Sequence, residues 1–187
     1  MEKNRPTTQE LKKELERVNQ KKDQQSLIKK LCVGLVCIAA VTVLISYLFM
    51  PVFRVYGHSM EPTLHSNQVV VSVKKSEYKK QDVIVFYYNN SILVKRIIAG
   101  PGDWIKMDQK GNVYVNDKKL KEKYVQNKSI GKCTVTFTYQ VPENRYFVLG
   151  DNRKVSKDSR NRYIGCVSKK QIVGKIILNV WPLRIIE

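Results

Sequence analysis

The sequence predicts a mainly β domain held behind a single N-terminal membrane-spanning helix. Residues 31–50, LCVGLVCIAAVTVLISYLFM, carry no charge over the ~20 residues that an α-helix needs to cross a bilayer. From Val52 onward the pattern changes to short runs rich in Val, Ile, Tyr, Phe and Thr, separated by turn residues. A chain of 187 residues suffices for one ordinary core with appendages. The divisions are therefore a tail over 1–30, an anchor over 31–50 and a β domain over 51–187.

The tail is polar and mixed in charge. Thr7 and Glu10 have capping-box spacing, and Leu11, Leu15 and Val18 follow at helical intervals, which predicts a short amphipathic helix. Lys21, Lys22, Lys29 and Lys30 crowd the N-terminal side of the apolar run. By the positive-inside rule they keep the N-terminus cytoplasmic and send the rest of the chain outside. The run exceeds the about 7 to 15 residues of a signal-peptide core, so it is read as a retained anchor.

Beyond the anchor the strands expected are 69–73, 82–87, 92–99, 104–107, 113–115, 134–139, 146–149 and 172–178. Residues 108–112 and the pair Asn116-Asp117 supply tight turns. Residues 118–132 form the most loop-like stretch. Trp181 is either an interfacial anchor or a core aromatic beside Pro182.

A net charge of +18, from 34 Lys and Arg against 16 Asp and Glu, points to a polyanionic partner such as lipid headgroups but names no reaction. Cys32 and Cys37 fall in the apolar run. Cys133 and Cys166 lie far apart without zinc-type spacing, and either a bridge or two thiols suits them, the thiols being preferred. With only His58 and His65, no histidine-rich metal site is expected.

Three clusters carry chemistry. The first, residues 57–64 (GHSMEPTL), has the composition of an exposed turn, in which Ser59 is a nucleophile only if a base takes its proton. His58 is poorly placed for that, because chain-adjacent side chains in extended backbone point to opposite sides. The second is the strand 92–99, where period two puts Lys95 on the face of Leu93, Ile97 and Ala99, and Arg96 on the other. An ammonium among apolar neighbours loses hydration, its pKa falls, and the neutral amine can act as a base. The third, residues 150–160 (GDNRKVSKDSR), follows an apolar strand and alternates Ser156, Asp158 and Arg160.

Together the clusters resemble the sequence boxes of bacterial type I signal peptidases of the Gram-positive kind. S-M-E-P-T-L stands for the family's S-M-x-P-T-L, residues 95–103 for K-R-x-x-x-x-P-G-D, and residues 150–160 for G-D-N-R-x-x-S-x-D-S-R. The resemblance implies a signal-peptidase-like β-fold over 51–187 as an extracytoplasmic catalytic domain, with about 108–140 a variable small β insertion. It implies Ser59 as nucleophile and Lys95 as general base, Ser156 orienting the Lys95 amine, and Asp158 and Arg160 as a supporting ion pair. The oxyanion region would be Gly57, His58 and Ser59, with the Ser59 N–H as donor. Gly57 stands where some relatives carry a hydroxyl, and His58 where many carry an acid. Phe53, Val55, Leu64, Leu93 and Val94 are the substrate-pocket candidates.

The reaction implied is removal of signal peptides with small −1 and −3 residues from secretory preproteins, the products of the secretion translocon, at the lipid bilayer. No cofactor, metal or nucleic acid is called for. Two other readings fit the residues less well: a dedicated pilin- or conjugation-processing peptidase, and an inactive basic surface-binding paralogue. A self-cleaving repressor would need a DNA-binding helix pair where the anchor stands.

Overall fold

The computed structural model describes residues 8–134, 138–181 and 183–186. Two compact units divide at the end of the apolar run, Met1–Leu48 and Phe49–Glu187.

The first unit is one helix, α1 (Thr8–Phe49). The tail and the apolar run were expected as separate segments; between Pro6 and Pro51 there is no proline and only Gly34, so nothing breaks the hydrogen-bond ladder. At 1.5 Å per residue, α1 is about 63 Å long, roughly twice a bilayer's hydrocarbon thickness. Its second half is apolar on all sides, with residues such as Leu31, Val36 and Val43 more than half exposed, and it is long and apolar enough to cross a membrane. Thr42 returns its hydroxyl to the Ile38 carbonyl at 2.8 Å, which satisfies its only side-chain polar group within the helix. Thr7, the expected cap, lies outside the described residues.

The second unit is β throughout. In chain order its strands are β1 (Val52–Arg54), β2 (Val69–Val73), β3 (Val83–Tyr88), β4 (Ser91–Ala99), β5 (Trp104–Met107), β6 (Val113–Val115), β7 (Lys118–Lys119), β8 (Tyr139–Gln140), β9 (Arg145–Leu149), β10 (Val167–Ser168), β11 (Ile172–Asn179) and β12 (Arg184–Ile185). The larger sheet runs β1-β2-β11-β3-β4-β9-β10 with β12 on β11, and the smaller β7-β6-β5-β8. Every pairing is antiparallel. Asn116 and Asp117 both have positive φ, 51° and 62°, the requirement of the tight turn that joins β6 to β7.

Two features of this sheet decide where a site can form. β4 pairs with β3 from Ser91 to Arg96, but with β9 only from Arg96 onward, so its first half keeps one edge open among the described residues. β1 is the terminal strand of the sheet, pairing with β2 alone. A register shift between Ile97 and Ala99 marks a bulge in β4. Past the bulge strict alternation fails: Ala99 packs in the cluster that holds Ile98, with Ile105, Phe147 and Leu149, while Ile97 joins Ile84, Phe86 and Val148. The face expected to hold Leu93, Ile97 and Ala99 together therefore ends at Ile97.

Of the strand expected over 134–139, only Tyr139 lies in β8. The Thr134 N–H instead donates to the Arg160 carbonyl, and residues 135–137 lie outside the described residues. Cys166 is a buried free thiol donating to the Tyr139 hydroxyl at 3.6 Å, so no bridge joins it to Cys133. Trp181 is 80% exposed, which excludes the core-aromatic alternative.

Candidate functional site

The turn after β1 presents Ser59. Gly57 enters it at φ +85°, a conformation costly for any residue with a Cβ, and its N–H donates to Ser66 Oγ. Leu64 N–H closes the turn on the Met60 carbonyl at 2.9 Å, which drives both side chains into the core with Val70, Val83 and Ile176. His58 pairs through its ring with Glu61 at 2.8 Å.

Across from it, the open half of β4 ends at Lys95. Its Nζ lies 2.7 Å from Ser59 Oγ and 2.9 Å from the Val94 carbonyl. Only 3% of the residue is exposed. Burial is the main influence on the amine and lowers its pKa; Asp158 and Asp151 pull it back up, Arg160 pushes it down, and the outcome is about 8 instead of 10.5. At pH 7 about one amine in ten is then neutral, against fewer than about one in a thousand for a free lysine.

Arg96, next in the strand, is buried too. It grips Asp151 through Nε and Nη2 at 2.9 and 2.8 Å, and its Nη2 also meets the Thr63 hydroxyl, which donates to Asp151 at 2.5 Å. One residue from each of the three sequence clusters thus meets in a single buried knot.

Asp158 and Arg160 form a second buried pair, Arg160 Nε and Nη2 donating to the two carboxylate oxygens at 2.8 and 2.9 Å. The Gly150 N–H adds a donor to Asp158 at 3.0 Å. The Ser59 carbonyl accepts from the Asn152 N–H at 3.0 Å, so the third cluster holds the backbone of Ser59 itself. Ser156, expected to hydrogen-bond the Lys95 amine, does not do so here: its Oγ is buried without a partner and lies against Gly150.

A cleft of about 470 Å³ runs between β1 and the open half of β4, lined by Phe53, Val55, Ser59, Leu93, Val94 and Lys95. Leu64, a pocket candidate by sequence, is instead wholly buried, because the turn folds it inward; Met60 takes its place in the lining. A second cleft shares Ser59, Leu93 and Lys95 with the first and adds Gly57, His58 and Val155. No group of His, Cys, Asp or Glu suited to a metal ion occurs among the described residues.

Sequence reasoning missed Arg96, Asp151 and Thr63 as members of the site, although all lie within its boxes. The available signal was parity: an arginine directly after Lys95 in an apolar strand must enter the interior and needs a buried partner.

The family described as signal peptidase, peptidase S26, matches residues 25–181. The signal peptidase I of Bacillus amyloliquefaciens is 42% identical over 140 residues, 69% of this chain and 74% of that protein. The signal peptidase IB of Staphylococcus aureus strain COL is 38% identical over 151 residues, 70% and 77% of the two. A crystal structure of a signal peptidase I from Enterococcus faecalis V583 covers 55% of this chain and 98% of its own, with 30% identity and a TM-score of 0.45.

Proposed function

The chain belongs to the signal peptidase family, peptidase S26, and from that membership we propose that it removes signal peptides from exported preproteins by Ser59 and Lys95. The observation that carries this is the 2.7 Å contact between Ser59 Oγ and a desolvated lysine amine.

Neutral Lys95 takes the Ser59 proton as Oγ attacks the carbonyl of the −1 residue. The resulting ammonium returns that proton to the departing amine and leaves an acyl-enzyme. Lys95 then deprotonates a water that releases the product. The Ser59 N–H is the expected oxyanion donor, and Gly57 offers no side-chain donor beside it. Asp158 and Arg160 fix the third cluster against the nucleophile, and Ser156, unpartnered beside the same turn, is the candidate to orient the amine.

The substrate enters as an extended strand between β1 and the open edge of β4, its main chain adding to the sheet. Small residues at −1 and −3 would fit beside Phe53, Val55 and Val94. Membrane anchoring by α1, with a cytoplasmic N-terminus and the β unit outside, accords with the lysines before the apolar run. The basic surface would then meet anionic headgroups where the substrates lie.

The test is cleavage of a secretory preprotein in detergent by the native chain, Ser59→Ala and Lys95→Ala. Both variants are expected to be inactive, and undiminished cutting by either would refute the reading. The pH profile follows with a defined sign: kcat/KM should rise with pH through a midpoint about 8, because only the neutral amine is a base. A profile still rising steeply at pH 10 would contradict it.

A further inference from the structure

The segment 120–131, within the most loop-like stretch of the sequence, is fastened at three buried arginines, Arg96, Arg153 and Arg160. Glu122 binds Arg153 through both carboxylate oxygens, and neither side chain is exposed. The Tyr124 ring lies against Arg96, whose Cζ is 4.0 Å from its centre. The Ser129 and Ile130 carbonyls accept from Arg160 Nη1 at 3.1 and 3.0 Å.

The seat is built for this segment. At Gly131, φ is +59° and a Cβ would stand 2.6 Å from Arg160 Nη1; at Gly111, φ is +77° and a Cβ would stand 2.6 Å from the Ser129 N. Glycine at both positions lets the chain lie this close.

Arg153 connects the segment to the reacting pair. Its Nε donates to the Gly150 carbonyl at 3.0 Å, and its own carbonyl accepts from Arg160 at 2.9 Å. Between these anchors the Asn152 N–H holds the Ser59 carbonyl. Arg96, under the Tyr124 ring, is covalently next to Lys95. One arm of the segment therefore reaches the nucleophile and the other the base.

We propose that Glu122 and Tyr124 are positioning residues that hold Ser59 and Lys95 in register, acting through Arg153 and Arg96. The proposal rests on the Ser59–Lys95 reading. It assigns a catalytic consequence to a stretch outside all three sequence boxes.

The experiment measures kcat and KM for preprotein cleavage by the full-length chain in detergent, with thermal unfolding of each variant. Glu122→Gln should lower kcat about 10-fold with KM within about 2-fold, since a misplaced reacting atom affects the transition state more than binding. Tyr124→Leu should lower kcat about 3-fold, the scale of one cation–π contact. Glu122→Gln leaves Arg153 buried without a counter-charge and can fail to fold. The double variant Glu122→Leu/Arg153→Met removes both charges and should remain stable. It should still show the 10-fold loss, because the Gly150 anchor is gone. Wild-type kcat in the folded double variant would overturn the proposal, leaving the pair a purely structural one. Ser59→Ala run alongside separates the two readings: activity there refutes the Ser59–Lys95 assignment itself.

Discussion

Lys95→Met should abolish cleavage and at the same time raise the melting temperature at pH 7. The loss follows from removing the proposed general base, for which a fall of about 10³-fold or more is expected. The gain in stability follows from the amine's environment. Its folded-state pKa of about 8 lies below the 10.5 of the unfolded chain, so the folded state binds the proton more weakly. Below pH 8 both states are protonated, and folding must bury an ammonium. The shift corresponds to roughly 3 kcal/mol at 1.36 kcal/mol per unit, with little discount for solvent at 3% exposure. Leaving Ser59 Oγ without its partner costs about 1 kcal/mol in return. The remaining ~2 kcal/mol corresponds to about 5 °C for a unit of this size. Linkage adds a signature: native stability should climb between pH 8 and 10.5, where the unfolded chain holds more protons, and the variant should lose that climb. Retained cleavage, or a melting temperature lowered at pH 7, would contradict the burial of a functional base.

Gly150→Ala should be nearly as damaging to the rate, through sterics alone. The φ of Gly150 lies outside the left-handed region, so alanine fits the backbone. A Cβ there would stand 2.3 Å from Ser156 Oγ, 2.5 Å from the Ser59 carbonyl oxygen and 2.6 Å from Ser156 Cβ. The hydroxyl can rotate away, but the other two atoms move only if a backbone moves. Displacing the Ser59 carbonyl by about 1 Å shifts Oγ from Lys95, and such a displacement costs on the order of 10²-fold in kcat. Stability should fall by only about 1 to 3 kcal/mol, as for other overpacked sites. Single-turnover cleavage with folded Gly150→Ala checks this, and a rate near the native value would mean that the turn yields without disturbing the pair.

Strands were legible where the local pattern suffices. β2, β5 and β6 coincide with their expected bounds, being β-branched or aromatic runs closed by turn residues. Among the two-residue strands, β7, β10 and β12 exist only because a neighbour is there to pair with, and no local composition marks them. That Ser59 and Lys95 come together was legible because their boxes are dense in unusual residues. Glu122 was not: a glutamate amid Lys118, Lys119, Lys121 and Lys123 looks like a solvated surface, and its partner lies 31 positions away. Arg96 and Asp151 are 55 positions apart and share the same problem. Buried ion pairs of long range leave no periodic trace, whereas apolar faces do.

If substrate adds to the open first half of β4 as proposed, that edge bears on how exported proteins survive the encounter once they have folded. Main-chain N–H and C=O groups are alike in every polypeptide, so an edge that recruits by them cannot tell one extended chain from another. It can tell an unsatisfied chain from a satisfied one. A segment already committed to its own helix or sheet has no amides to lend, and the cleft stays shut to it whatever its side chains. On the proposed mode of binding, the edge that admits a precursor would spare the mature product, and discrimination would begin with conformation before any pocket has been filled.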